Sequence, residues 1–268
     1  MIPTDTPDTQ QPPAGTACHA YNQSLLDHVR KVFTAHTAEH ELTVLADRSL
    51  DAAEPMPYRH LRLAQPGTSM YHWEIVTWPG HLSTVGDIAD GYTFSRVYDM
   101  VDFFTPAPEP YRINPGYWAE KLGVGCRAGT TVFDEQAMVA AAIDALDISR
   151  LEGGPLSEWA QPCYDMLRDE VRRRLATAMG CGYSSPADAA YEFMRSWEYT
   201  PEQLAADLDD QAPSAADLPK QAFSFDRIGE DYELIEQAKV YDFHLMLAMH
   251  AIVFGLERYR EHRARVNN

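Results

Sequence analysis

Polar residues recur at every second position in two neighbouring segments of the chain, His60 and Arg62 in the first and His72 and Glu74 in the second. Side chains at alternate positions of a β-strand lie on one face of the sheet, so we expect these four to share a surface. Histidine titrates near neutral pH, and the planar guanidinium of arginine fits phosphate and carboxylate groups. The pattern predicts a site for an anionic ligand or for acid–base catalysis. The alternative is a solvated sheet face with ordinary cross-strand pairs.

Further polar residues lie where strand patterns give way to helical ones, a place where binding groups and helix caps both occur. In the functional interpretation, Asp87 and Arg96 join the candidate ligand-binding residues of the sheet face. In the structural interpretation, Asn114 caps a helix and Arg96 pairs with Asp99. The complete group is Asp87, Arg96, Asp99, Asn114, Glu120 and Lys121.

The segment from His36 to His40 matches the H-x-x-E-H pattern of inverted zincins, with Glu39 between the two histidines. Two imidazoles one helical turn apart could bind zinc while the carboxylate activates water. The helical pattern, however, ends near His36 and gives way to a strand, and no third ligand follows on a helix. The sequence therefore favours a partly buried His36 over a metal site.

The last helical segment carries two histidines, His244 and His250. A spacing of six residues turns a helix by about 240°, so the two cannot bind one metal ion. We interpret both as core histidines with hydrogen-bond partners. The sequence contains no Walker A motif, G-x-G-x-x-G motif or nucleophile elbow, and no two of its four cysteines form a CxxC pair. No cofactor is predicted.

Hydrophobic periodicity indicates which elements carry these residues. Leucine, valine and phenylalanine recur at helical spacing from Asn22 to His36. Segments with strand character then follow one another with turn residues and no helix between them, which predicts an antiparallel meander. The predicted strands are 41–46, 58–64, 69–77, 81–87 and 92–95.

The second and third of these strands also have a predicted register. A turn centred on Gly67 places opposite each other those residues whose numbers add up to about 134, and the odd-numbered side chains from 61 to 75 then face the core. The predicted pairs are Leu63 with Tyr71, Leu61 with Trp73, Arg62 with His72, and His60 with Glu74.

The rest of the chain is mainly helical in pattern. The last helix, predicted over about 234–263, is apolar nearly all round between Phe243 and Phe254, which is typical of a buried helix. The predicted fold class is α+β, with a small antiparallel meander (about 41–95) packed against a mainly helical C-terminal part that ends in the buried helix. We expect a disordered tail at 1–18 and a single domain over 19–268, with a surface loop at 205–222.

Several of these segments resemble a family of uncharacterised proteins encoded by bacteriophages and related mobile elements. The matching motifs are YRHLR at 58–62, VTWPG at 76–80, the pair Gly86-Asp87, FSR at 94–96, DM at 99–100 and INPGYWAEKL at 113–122, with AHTAEHELTV upstream at 35–44 and the final helix downstream. The resemblance implies a phage or prophage accessory protein. It implies no reaction and no catalytic residues.

Charge gives the remaining indication of function. The 268 residues include 22 basic and 40 acidic ones, a net charge of −18, and the segment 202–236 holds ten acids against two bases. Such a chain does not favour direct binding of nucleic acid or of an anionic membrane. Because acidic surfaces attract basic partners, the predicted function is non-enzymatic binding of a host protein with a basic surface, as a counter-defence factor or nucleic-acid mimic. The alternative is a small-molecule or nucleotide-binding protein, or a hydrolase, that uses the polar sheet face.

The start of the sequence is polar, acidic and rich in proline, without an apolar signal segment. Together with the small number of cysteines, this predicts a protein of the host-cell cytoplasm with reduced thiols.

Overall fold

The structure is a computed structural model that describes residues 16–51, 53–89, 91–104, 113–127, 129–152, 160–181, 185–196, 198–199, 223–224 and 231–266. The chain forms two compact units. We call residues 24–132 and 241–268 the sheet unit, and residues 1–23 and 133–240 the helical unit. None of the described helices has the length and apolar character needed to cross a bilayer.

The secondary structure confirms the predicted fold class, an antiparallel sheet followed by a mainly helical part. In chain order the elements are α1 Thr16–Thr37, β1 Glu41–Asp47, β2 Arg59–Ala64, β3 Trp73–Trp78, β4 His81–Gly86, β5 Thr93–Ser95, α2 Met100–Phe103, α3 Pro115–Ala119, α4 Val124–Arg127, β6 Thr131–Phe133, α5 Glu135–Glu152, α6 Ala160–Gly180, α7 Pro186–Ser196, β7 Glu198–Tyr199, β8 Phe223–Ser224, α8 Asp231–Gln237, β9 Lys239–Tyr241 and α9 Phe243–Val266. Residues 16–18 of the predicted tail are helical, and the predicted loop at 205–222 lies outside the described residues. The single domain over 19–268 stays a prediction.

Strands β1 to β5 form one sheet in sequence order, and each strand is antiparallel to the next. Buried and partly exposed residues alternate along β2 and β3, as the period of two requires when one face covers a core. Pro79 and Gly80 form the turn that joins β3 to β4, and Gly80 adopts a positive φ of 82° that a side chain would disfavour.

The register between β2 and β3 differs from the predicted one by two residues. Leu63 lies opposite Trp73, Leu61 opposite Ile75, and Arg62 opposite Glu74. The reason is that the connection after β2 is longer than a tight turn, and β3 begins at Trp73 rather than at residue 69. A displacement of two keeps every side chain on its predicted face, because the side-chain period is also two.

Tyr71 is the exception to the predicted inward pattern. It precedes β3, its φ is 56°, and 44% of its side chain is exposed. A left-handed conformation at a residue other than glycine bends the chain before the strand starts. The prediction that Tyr71 packs in the core beside Leu63 was therefore wrong.

The inner face of the sheet packs against α9, which confirms the predicted buried last helix. Leu61, Leu63, Trp73 and Ile75 have no exposed side-chain surface, and the Trp73 indole Nε1 donates a hydrogen bond of 3.2 Å to the backbone oxygen of Ala251. The helix begins at Phe243 rather than near 234, because the chain forms the separate helix α8 and the strand β9 first.

The closest approach between α9 and the sheet occurs at Gly255. A Cβ atom at this position would lie 2.6 Å from Ile75 Cδ1 and 3.0 Å from Leu63 Cδ1. Both neighbours are fully buried, so they have little room to move. The absence of a side chain at Gly255 lets the helix backbone lie directly on the sheet.

A buried charged network fixes the C-terminal half of α9 to the edge of the sheet. Arg59 binds Asp99 through two hydrogen bonds, of 3.0 and 2.8 Å, and its Nε donates to the Tyr259 hydroxyl at 3.0 Å. The same hydroxyl donates to Asp47 Oδ2 at 2.6 Å, and Ser49 donates to Asp47 Oδ1 at 2.6 Å. Burial alone would raise the pKa of Asp47, but the hydrogen bonds from Ser49 and Tyr259 and the charge of Arg59 hold it below its ordinary value.

The helical unit has a hydrophobic core of its own. Met138, Ile143, Leu167, Val171 and Met194 are buried in it, together with other apolar residues of α5, α6 and α7, and partly buried residues of α8 pack against them. Helix α7 begins with a side-chain cap, since the Ser185 hydroxyl accepts a hydrogen bond from the Asp188 backbone N–H at 3.2 Å and donates one to the Asp188 carboxylate at 2.7 Å. Strands β7 and β8 pair antiparallel.

We predict that Gly255→Val lowers the free energy of unfolding by about 1–3 kcal/mol, because the new methyl groups overlap fully buried side chains of the sheet. Gly125→Val is the matched control, because no atom of the described residues lies within 4 Å of a Cβ built at Gly125, and it should change stability by at most about 0.5 kcal/mol. Urea unfolding of both variants measures the difference. Equal stability of the two variants would show that the contact at Gly255 is not tight.

We predict that Asp47→Asn is less stable than the wild type at pH 7 by about 1–3 kcal/mol, because the Tyr259 hydroxyl loses a charged acceptor. A carboxyl group with a depressed pKa contributes its stability above the ordinary value of 3.8 and loses it as the pH falls through the folded-state value. The difference between the two proteins should therefore shrink below about pH 4. Urea unfolding at several pH values measures it.

Asp27→Asn is the control for this series, since Asp27 forms an exposed ion pair with Arg30 and its loss should cost at most about 1 kcal/mol. A difference between Asp47→Asn and wild type that stays constant down to pH 2 would contradict the assignment.

Candidate functional site

The predicted polar face of the sheet exists, and a single carboxylate lies at its centre. Glu74 Oε2 lies 2.6 Å from His60 Nε2, and Glu74 Oε1 accepts a hydrogen bond of 2.6 Å from Arg62. The hydrogen bond from His60, helped by Arg62 and opposed by burial, holds the pKa of Glu74 below its ordinary value. Because Glu74 engages both of these side chains, the face offers less positive charge to a ligand than its residue types suggest.

The other candidate residues lie in two separate places. His72 precedes β3, and its Nδ1 lies 3.3 Å from Asp87 Oδ2 and 2.8 Å from the backbone oxygen of Ser69. Arg96 follows β5, is exposed, and within the described residues forms no hydrogen bond or ion pair with the other candidates. The structure thus groups His60, Arg62 and Glu74, pairs His72 with Asp87, and leaves Arg96 apart. Ligand binding by these six residues stays a prediction.

The residues at the strand–helix junctions have structural roles. Asn114 caps α3 by accepting a hydrogen bond from the Tyr117 backbone N–H at 3.0 Å, as predicted. Asp99 caps α2 and binds Arg59, so the predicted pair of Asp99 with Arg96 was wrong. Lys121 binds Glu120 at 3.0 Å and lies over the Tyr117 ring.

The two histidines of the H-x-x-E-H segment do not share a helix face, because α1 ends at Thr37. His36 is exposed and contacts the Tyr71 ring edge to face, with centroids 4.8 Å apart. His40 is buried, stacks on Trp73, and its Nε2 lies 3.1 Å from the Tyr71 backbone oxygen. In the part of the chain that the structure describes, no group of three or more His, Cys, Asp and Glu side chains is arranged to hold a metal ion.

A cavity that the sequence reasoning missed lies between α1 and α9, within the sheet unit. Its volume is about 670 Å³, which falls in the usual range for small-molecule sites. Aromatic and apolar side chains form its floor, namely Phe33, His250, Val253 and Phe254, and basic side chains form its rim, namely Arg30, Lys31 and Arg258; Thr34, Ala35, Thr37 and Ala38 complete the lining. None of the six predicted site residues lines it.

His250 is the polar residue at the floor of this cavity. Only 8% of its surface is exposed, and its ring stacks on Phe33 with centroids 5.7 Å apart. Burial, with a smaller effect from the charge of Arg30, lowers the pKa of His250 to about 4, so the imidazole is neutral at pH 7. Neither ring nitrogen has a hydrogen-bond partner among the described residues. The predicted partners for His250 were therefore wrong, and His244, also predicted in the core, is exposed.

The rim of the cavity is positively charged, but two of its three cations are partly neutralised. Arg30 binds Asp27 at 3.0 Å, and Arg258 binds Glu261 at 3.3 Å in exposed pairs. The Arg258 guanidinium also lies 5.1 Å from the centroid of the Phe254 ring, over the floor. Lys31 forms no ion pair with any described residue. An anion that enters the cavity therefore meets one unpaired cation and two weakly paired ones.

A second cavity of about 440 Å³ adjoins the first and shares Ala38 and Arg258 with it. Its lining mixes both signs of charge, with Glu39 and Glu41 on one side and Arg258, His262 and Arg265 on α9. Glu39 accepts a hydrogen bond of 2.7 Å from the Gln65 side-chain amide.

Comparison of the chain with protein-family models, with curated proteins and with solved structures finds no match.

Proposed function

We propose that this chain is a ligand-binding protein whose site is the cavity between α1 and α9, and that its ligand is a small organic anion with an apolar body. The observation that carries this proposal is His250, a mostly buried histidine that lines a cavity rimmed by cations and makes no hydrogen bond with any described residue. A neutral imidazole carries one donor and one acceptor nitrogen, and a ligand in a cavity of this size can form hydrogen bonds with them.

The cavity chemistry supports binding rather than catalysis. A general acid or base works best with a pKa near the operating pH, whereas that of His250 is about 4. Among the described residues, no carboxylate and no thiol belongs to the lining of this cavity. The Thr37 hydroxyl already donates to the Phe33 backbone oxygen at 2.8 Å.

We predict that 1-anilinonaphthalene-8-sulfonate, an anion with two aromatic groups, binds the wild-type protein at one saturable site. Thr34→Trp should weaken this binding at least tenfold, because the indole fills a cavity that an exposed threonine now borders. Ser24→Trp is the matched control on the exposed surface of α1 outside the cavity and should bind the probe like the wild type. Fluorescence titration measures all three affinities. Undiminished binding by Thr34→Trp would place the site elsewhere.

A second function is favoured by the uneven distribution of charge between the units. The residues of the helical unit include 24 acids and 9 bases, a net charge of −15, whereas those of the sheet unit include 16 acids and 13 bases, a net charge of −3. Such an excess of negative charge accelerates association with a basic partner. It supports the hypothesis of a phage-type accessory protein that binds a basic host protein. The densest acidic segment, 202–236, lies mostly outside the described residues.

We predict that the wild-type protein retains a basic host protein from a bacterial lysate at about 50 mM salt and releases it at about 300 mM, since screening weakens charge attraction. Replacing Asp207, Asp209, Asp210 and Asp217 by asparagine should abolish this retention. Affinity capture followed by mass spectrometry measures it.

The control is a variant with the same change in net charge, in which four exposed carboxylates of the sheet unit are replaced by the corresponding amides. These residues are Glu54, Asp87, Asp102 and Glu120. This variant should still retain the partner. If both variants lose the partner, net charge alone explains the retention. If the variant with the four aspartates of the acidic segment replaced still retains the partner, that segment is not the binding surface.

A further inference from the structure

The first and second cavities follow one face of α9. His250, Phe254, Arg258 and His262 succeed one another at intervals of four residues, which places them in a row along the helix. The row spans about 18 Å, at 1.5 Å of rise per residue. It changes from aromatic to charged at Arg258, which lines both cavities. A ligand that lies along this row contacts the rings of His250 and Phe254 at one end and the guanidinium of Arg258 further along the helix.

His250 determines which kind of apolar body the first cavity accepts. A neutral imidazole carries one N–H donor and one acceptor nitrogen, and both are unpartnered among the described residues. An acyl chain would cover these atoms and leave them without hydrogen bonds, whereas a nitrogen heterocycle presents a donor and an acceptor at its edge. The rings of Phe33 and Phe254 pack edge to face with their centroids 5.9 Å apart, and both line the cavity, so a flat aromatic body can pack against this aromatic surface.

The charges determine how many anionic groups the ligand carries. Arg258 and Lys31 on the rim can bind one phosphate or carboxylate, and the guanidinium fork fits either group. Beyond Arg258 the carboxylates of Glu39 and Glu41 line the second cavity beside Arg265 and His262. A chain of phosphates that extends there would face two negative charges, so one anionic group is favoured over three.

We infer that the cavity between α1 and α9 binds a nitrogen heterocycle with a single anionic substituent, as in a nucleoside monophosphate. The heterocycle lies against Phe33 and Phe254 with its polar edge on His250, and the anionic group lies on Arg258 and Lys31. This inference rests on the proposed function and specifies its ligand class. A heteroaromatic carboxylate also combines a nitrogen heterocycle with one anionic group, and the experiment below distinguishes it from a nucleoside monophosphate.

The experiment measures how well small molecules displace 1-anilinonaphthalene-8-sulfonate from the wild-type protein. The probes are the four common ribonucleoside monophosphates, adenosine, ATP, inorganic phosphate, nicotinate and decanoate. At least one monophosphate, or nicotinate, should bind at least tenfold more tightly than decanoate and inorganic phosphate. If the natural ligand is a nucleotide, the best monophosphate should bind at least fivefold more tightly than both adenosine and ATP. If it is a heteroaromatic carboxylate, nicotinate should bind more tightly than every monophosphate.

Variants then test the two contacts. His250→Phe keeps a ring at this position but removes both hydrogen-bonding nitrogens, so it should weaken binding of the best heterocycle at least tenfold and by a larger factor than it weakens binding of the fluorescent anion. Arg258→Gln should weaken binding of both the heterocycle and the fluorescent anion. His244→Phe is the matched control, since His244 is an exposed histidine of the same helix outside the cavity. This variant should bind the heterocycle and the fluorescent anion like the wild type.

The outcomes separate this inference from the proposed function. Binding of the fluorescent anion without binding of any heterocycle, or tighter binding of decanoate, would overturn the inference and leave the cavity as a ligand site. Equal binding of the heterocycle by His250→Phe and the wild type would overturn it as well. Failure of the fluorescent anion to bind at all would overturn both. The comparison of probes on the wild-type protein decides the question even if His250→Phe does not fold.

Discussion

The close approach of α9 to the sheet at Gly255 is the constraint on which the rest of the sheet unit depends. A Cβ at this position would overlap Ile75 and Leu63, so the distance between helix and sheet is set by the missing side chain. That distance lets Trp73 donate its hydrogen bond to Ala251 and brings Tyr259 within reach of Arg59. The neighbouring face of α9, with His250 and Phe254, lines the cavity together with residues of α1.

Local patterns in the sequence were sufficient to predict the strands of the sheet and the face on which their side chains lie. The alternation of apolar and polar side chains in 59–64 and 73–78 identifies the buried face, and that assignment survives a register error of two residues. The length of the connection before Trp73 was not predictable, because it depends on the positive φ of Tyr71, a conformation that tyrosine rarely adopts. The start of α9 was missed for a related reason, since the chain between α8 and α9 has few breaking residues.

Contacts between distant parts of the chain explain why the cavity and the charged network were not predicted. Arg59 follows the inward pattern of β2, but its partners Asp99 and Tyr259 come from α2 and α9, and no spacing within one segment relates them. The cavity combines residues near position 33 with residues near position 254. A signal did exist in the four-residue interval between His250, Phe254 and Arg258, which would have indicated one helix face. It could not indicate that this face borders a cavity rather than a filled core.

The position of His250 is more easily explained by binding than by stability. His250 makes no hydrogen bond with any described residue, and a polar ring at a mostly buried position costs stability that an apolar residue of similar shape would not. The core around Trp73, Leu63 and Ile75 is fully buried and can offset it. Local departures from good packing are expected where a protein meets a ligand. The sheet beneath α9 therefore supplies the stability that lets its other face carry a polar group in a mostly apolar cavity.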